Sequence, residues 1–111
     1  MSARWGGRRV RALILMTIAA KGSVCHLCGL DGATSADHDP PRTVLLARGV
    51  ANPDHPDYLW PAHLLCNQVR GARPLSDQLR EECRAKMQAA LGRAPAPVAL
   101  SSRFASRRPS F

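Results

Sequence analysis

Two short pairs of residues in this chain have the chemistry and spacing of metal ligands. Cys25 and Cys28 form a C-x-x-C pair and His63 and Cys66 an H-x-x-C pair, with 34 residues between them. Three thiols and an imidazole are the donor set of a closed tetrahedral zinc site. The spacing matters because a tight turn at the first pair, and the opening turn of a helix at the second, each aim two donors at one point. A lone C-x-x-C also marks thioredoxin-like redox sites, but those sit in a βαβ setting and have no second pair. Four protein ligands leave no position for water, so this zinc is expected to be structural rather than catalytic. Cys83 has no partner at ligand spacing and reads as a small core side chain. His26, between two ligands, is expected to face outward. His55, in a polar loop flanked by proline, is expected at the surface.

A second group has the chemistry of a hydrolytic site. The stretch SADHDPPR places Asp37 and His38 side by side, and Asn67 directly follows the last ligand of the second pair. If a metal ties the start of that helix to the cysteine turn, Asp37, His38 and Asn67 converge beside it. Alternation along a strand sends Asp37 and His38 to opposite sides, so one can ligate a metal while the other faces a reacting water.

The elements that must position these groups are short. A helix is expected over about Arg8–Ala20, with Val10, Leu13, Ile14, Thr17 and Ile18 on one stripe and Gly22 just beyond its end. A strand is expected around Thr34–His38, and its returning partner at Tyr58–Trp60. Pro61 is expected to open the next element, a helix over His63–Arg70 ended by Gly71 and Pro74. A second helix runs from Asp77 to Leu91, capped by Ser76 and Asp77, with Leu79, Cys83, Met87 and Leu91 on one stripe. Residues 39–57 read as a long loop with a short turn or strand at TVLLA. The organisation expected is therefore a basic N-terminal helix (1–24), a metal-stapled core (25–73), a C-terminal helix (74–92) and a basic disordered tail (93–111).

Composition agrees with one small α+β domain. The chain has 111 residues, 45% hydrophobic but only 5% aromatic, so its core is aliphatic and small, and domains of this kind often use a metal staple. The net charge of +8 is uneven. Residues 1–24 hold five cations and no acid, residues 93–111 hold four, and the middle is close to neutral. Fourteen of the sixteen cations are arginine, the side chain suited to bidentate phosphate contact. A polyanion such as nucleic acid is the partner this implies. The apolar run Ala12–Ala20 spans nine residues, too short to cross a bilayer. It resembles a signal-peptide core, but the helical stripe is the simpler account. Without an export signal, reduced thiols that bind metal are expected rather than disulfides.

Taken together, C-x-x-C-G, then D-H-x-P, then H-x-x-C-N-x-x-R-G over residues 24–73 resembles the HNH endonuclease family, and in particular its small phage-encoded members with a zinc knuckle. The resemblance implies a ββα-metal, treble-clef-like fold and hydrolysis of DNA phosphodiesters. It implies that His38 is the general base and that Asp37 and Asn67 hold a catalytic Mg²⁺ or Mn²⁺. Cys25, Cys28, His63 and Cys66 match its structural zinc ligands, His63 standing where many members have cysteine. It further implies DNA as partner, terminase as associate in phage packaging, and a cytoplasmic setting in the host cell. Restriction and homing are other uses of such sites. The chain departs at the middle position, where the family has an asparagine that helps orient the base and this sequence has Tyr58. Asn52, in the longer loop, is the candidate substitute. Arg42 and Arg70 are the candidates for gripping phosphates. The alternative to an enzyme is a zinc-stapled nucleic-acid-binding module with weak turnover.

Overall fold

The computed structural model describes residues 6–93; the expected tail beyond Arg93 lies outside the described residues. The chain forms α1 (Gly7–Lys21), β1 (Ser35–His38), α2 (Arg42–Ala47), a 3-10 turn (Pro56–Tyr58), β2 (Leu59–Ala62), α3 (Leu64–Arg70) and α4 (Asp77–Arg93). The architecture is α+β. β1 and β2 pair antiparallel, with Asp37 opposite Trp60 and His38 opposite Leu59. α1 packs on both strands, and α3 lies between β1 and α4.

Each helix follows from its apolar spacing. In α1, Val10 and Thr17 are buried and Leu13, Ile14 and Ile18 half-buried, which is the expected stripe. The buried Thr17 hydroxyl donates to the Leu13 carbonyl at 2.7 Å, so no polar group is left unpaired on that face. Gly22, at φ 89°, ends the helix and donates its N–H to the Ile18 carbonyl. In α4 the Ser76 hydroxyl accepts the Leu79 N–H at 3.0 Å, an N-terminal cap.

Three expectations are corrected. TVLLA is not a strand or turn but most of α2. The fixed φ of Pro41, −53°, prepares a helical start, its carbonyl accepts the Val44 and Leu45 N–H groups, and one turn suffices to bury Leu45. The returning strand starts after Tyr58, which closes the 3-10 turn, and Pro61 lies inside β2 rather than after it. A two-stranded sheet has only edges, so the missing Pro61 N–H leaves no neighbour unsatisfied; its carbonyl accepts the His26 N–H at 2.9 Å. The apolar stripe of α4 stops early: Leu79 and Cys83 are fully buried, but Leu91 is 57% exposed. α3 has seven residues and α4 seventeen, so α4 outruns what it packs against.

The main core comprises Cys25, Leu27, Cys28, Ala33, Ala62, Cys66, Leu79 and Cys83, with Leu30, Val69, Leu75 and Met87 against it. Half of its buried members are cysteines, where the scarcity of aromatic residues suggests an aliphatic core. No helix among the described residues is long and apolar enough to cross a membrane. Truncating Leu79 to alanine should cost about 2–5 kcal/mol in urea denaturation, whereas Leu91→Ala should change stability by less than about 0.5 kcal/mol.

Candidate metal centre and adjoining cleft

The ligating atoms of Cys25, Cys28, His63 and Cys66 all lie within 4.8 Å of one another, and all four residues are buried. His63 Nδ1 is 3.3 Å from Cys28 Sγ and 3.8 Å from Cys66 Sγ. A tetrahedron with metal–sulfur bonds of about 2.3 Å has edges of roughly 3.8 Å, so the cluster has the span of a metal site. The imidazole is already oriented for it. His63 Nε2 donates to the Asp31 carbonyl at 2.9 Å, which fixes the proton there and leaves Nδ1 as the ligand atom. Backbone N–H groups support the sulfurs: Leu30 N–H donates to Cys28 Sγ, and Cys28 and His63 N–H to Cys25 Sγ. Burial pushes the thiols of Cys28 and Cys66 up, so a cation is needed to hold them as thiolates, and binding it releases protons. The cluster can therefore hold a structural metal such as zinc. Cys83 is buried beside it, with its Sγ directed to the Cys66 carbonyl, in the core role expected.

α3 carries the ligand Cys66 inward, and the same face carries Arg70 four residues later. Arg70 is the largest fully buried side chain in the described residues. Its Nη1 donates to Asp37 Oδ2 at 2.6 Å and to the His38 carbonyl at 3.0 Å, its Nη2 to Asp39 Oδ1 at 3.1 Å, and its Nε to the Arg73 carbonyl at 2.8 Å. The phosphate role expected of Arg70 is thereby corrected: the guanidinium is an internal tie between α3 and the end of β1. His26 is corrected too. It does not face outward but meets Asp37 Oδ2 through Nε2 at 2.8 Å and stacks on Trp60. His55 is at the surface, as expected, accepting the Asp57 N–H.

His38 faces a different set of partners. Its Nε2 is 2.8 Å from Asp54 Oδ1. Asp54 also accepts from Arg42 Nε at 2.8 Å and from Arg9 Nη2. Burial alone would raise the Asp54 carboxyl, but the hydrogen bonds from Arg42, Arg9 and His38 together hold it well below the usual carboxylate range. Burial pushes His38 below the ordinary imidazole value, opposed in part by its bond to Asp54, so the ring is neutral at pH 7. Asn52, the expected substitute for the middle asparagine, supports Asp54: its Oδ1 accepts the Asp54 N–H at 3.3 Å, bracing the residue that meets His38. Asp54 was missed from sequence because no motif spacing singles it out.

Asp37, His38, Arg42 and Asn67 all line one open cleft of about 410 Å³, together with Ser35, Pro41, Leu64 and Gln68 among others. Asn67 is fixed by donating Nδ2 to the Ala36 carbonyl at 2.8 Å, which turns its amide oxygen elsewhere. Among the described residues, no protein donor meets Asn67 Oδ1 or Asp37 Oδ1. Arg42 contributes to the cleft wall but binds Asp54 with two nitrogens. α1 is only partly a cationic flank: Arg9 reaches Asp54, and Lys21 Nζ donates to the Pro56 and Leu59 carbonyls and lies 3.9 Å from the centre of the Trp60 ring. Comparison with family models, curated proteins and solved structures finds no match for this chain.

Purified protein is expected to carry one zinc per chain, measured by atomic absorption. Its removal by a chelator should abolish cooperative unfolding, since such sites supply on the order of 10 kcal/mol to folding. Cys66→Ser should lower the zinc content and Cys83→Ala should leave it at one. Arg70→Met should cost about 3–5 kcal/mol in urea denaturation, because it takes the guanidinium from the buried Asp37 carboxylate and leaves it bonded to His26.

Proposed function

We propose that this protein is a zinc-stapled, metal-dependent DNA endonuclease or nickase of the HNH kind, with a ββα-metal core. The observation that supports the reading is that Asp37, His38 and Asn67 all line one open cleft, Asn67 on the helix that also carries the cluster ligand Cys66. Their order in the chain, acid and imidazole on one strand and amide on the helix that follows the ligand pair, is the order the sequence resemblance implies.

In this reading Asp37 and Asn67 would hold Mg²⁺ or Mn²⁺, which would supply positive charge against that building on the phosphate. His38, neutral and buried, takes a proton from water. The water oxygen bonds to phosphorus, the bond to the 3′ oxygen breaks, and that oxygen takes a proton from solvent. Arginines exposed on α1, such as Arg8 and Arg11, and the basic tail hold the DNA backbone, so affinity falls steeply with salt. A setting in which thiols stay reduced, such as a host cytoplasm, and a role beside terminase in packaging phage DNA accord with this chemistry.

One observation favours a second reading, a nucleic-acid-binding module with weak turnover. The Asp37 oxygen held by Arg70 and His26 places a guanidinium against the expected ion ligand, which weakens attraction for a dication. The deciding experiment is nicking of supercoiled plasmid with Mg²⁺ or Mn²⁺. His38→Ala should reduce the rate by about 10²–10⁴-fold. Equal rates would refute the assigned base, and tight binding without cleavage under any divalent ion would favour the second reading.

A further inference from the structure

We propose that Asp54 is the positioning residue for His38, taking over the task that the missing middle asparagine leaves undone. The proposal rests on the nuclease reading for its consequence, but not for its geometry. Asp54 lies in the loop between α2 and the 3-10 turn, sixteen residues beyond His38, and is 3% exposed. Both carboxylate oxygens are engaged. Oδ1 accepts from His38 Nε2 and Arg42 Nε; Oδ2 accepts from Arg9 Nη2 and, at 3.3 Å, from Arg42 Nη2. The backbone is held as well, with the Asp54 N–H on Asn52 Oδ1 and the His55 N–H on the Asn52 carbonyl at 3.2 Å. Helices α1 and α2 thus reach the same carboxylate from two sides through their arginines.

The chemical effect is a choice of tautomer. A carboxylate clamped by two guanidinium groups can only accept a hydrogen bond. His38 therefore carries its proton on Nε2, and the basic lone pair of the neutral ring is on Nδ1. When a proton arrives at Nδ1, the imidazolium that forms is paired with Asp54 through Nε2–H. A carboxylate that fixes and pairs an imidazole in this way acts through the base and does not touch substrate.

The bland account is that Asp54 merely ties the loop to α1. Two measurements separate the accounts. The first uses zinc-loaded wild-type protein with ¹⁵N-labelled histidine, at a pH where the rings are neutral. The His38 ring should be the Nε2–H tautomer, and Asp54→Asn, whose carboxamide can donate as well as accept, should yield a mixture of tautomers. A His38 ring protonated on Nδ1 in the wild type would overturn the proposal whether or not the variant folds. The second is a double-mutant cycle on plasmid nicking. Asp54→Asn should lower kcat about a hundredfold or more with KM little changed, and should have no further effect in a His38→Ala background. Additive losses in the two backgrounds would mark a tie and nothing more. If no nicking occurs at all, the nuclease reading fails, while the tautomer still decides the positioning claim.

Discussion

The structure depends on two pairs of ligands, far apart in sequence, being brought within one metal's reach. A chain with 5% aromatic residues buries little area per side chain. Its core is instead organised on four sulfurs, and the first pair, the end of β2 and the start of α3 meet at the cluster. The consequence for the cleft is direct. His63 is the N-cap of α3 and Cys66 lies in its first turn, so whatever fixes those ligands also fixes Asn67 and, one turn on, Arg70. The Asn67 amide then clasps the β1 backbone at Ala36, which sets the distance between strand and helix along the cleft.

Around that frame are two buried polar nodes, built on neighbouring residues of β1. Asp37 is tied to Arg70 and His26, and His38 to Asp54 and through it to Arg42 and Arg9. Strand alternation is the reason that neighbours in sequence serve different networks. Buried ion pairs add little net stability against an apolar replacement, but breaking one is costly. Their more useful effect here is rigidity, since the Asp54 carboxylate has both oxygens engaged and holds the His38 imidazole bonded to it.

Much of this was legible in the sequence because the signals are local. The x2 spacings, the helical stripes of α1 and α4 and the glycine stops each depend on residues within a turn or two of one another, and they place α1, β1, α3, α4 and the four ligands. The adjacency of Asp37, His38 and Asn67 followed from the cluster rather than from a signal of its own. Arg70 was misread because charged side chains are exposed by default, yet the spacing held the clue: Cys66 must face inward, so the residue four positions later does as well. Asp54 and α2 left no such trace. Asp54 finds His38 across a loop without periodicity, and the helix at TVLLA depends on a proline start and one buried leucine rather than on a repeating pattern.

The ties at Asp37 bear on what the cleft can do. On the proposed reading Asp37 must serve a cation while a buried guanidinium holds one of its oxygens. These roles are compatible only because a carboxylate has two oxygens with separate directions: Arg70 takes Oδ2, and Oδ1 has no protein donor among the described residues. Arg70 aims the carboxylate by holding Oδ2, and on that reading its positive charge would oppose the ion Asp37 would serve. On the proposed reading a bound DNA phosphate would reverse that balance, since it would bring negative charge to the cation. On the proposed reading, the arrangement would therefore favour an ion that binds together with the nucleic-acid backbone over one that binds to the protein alone.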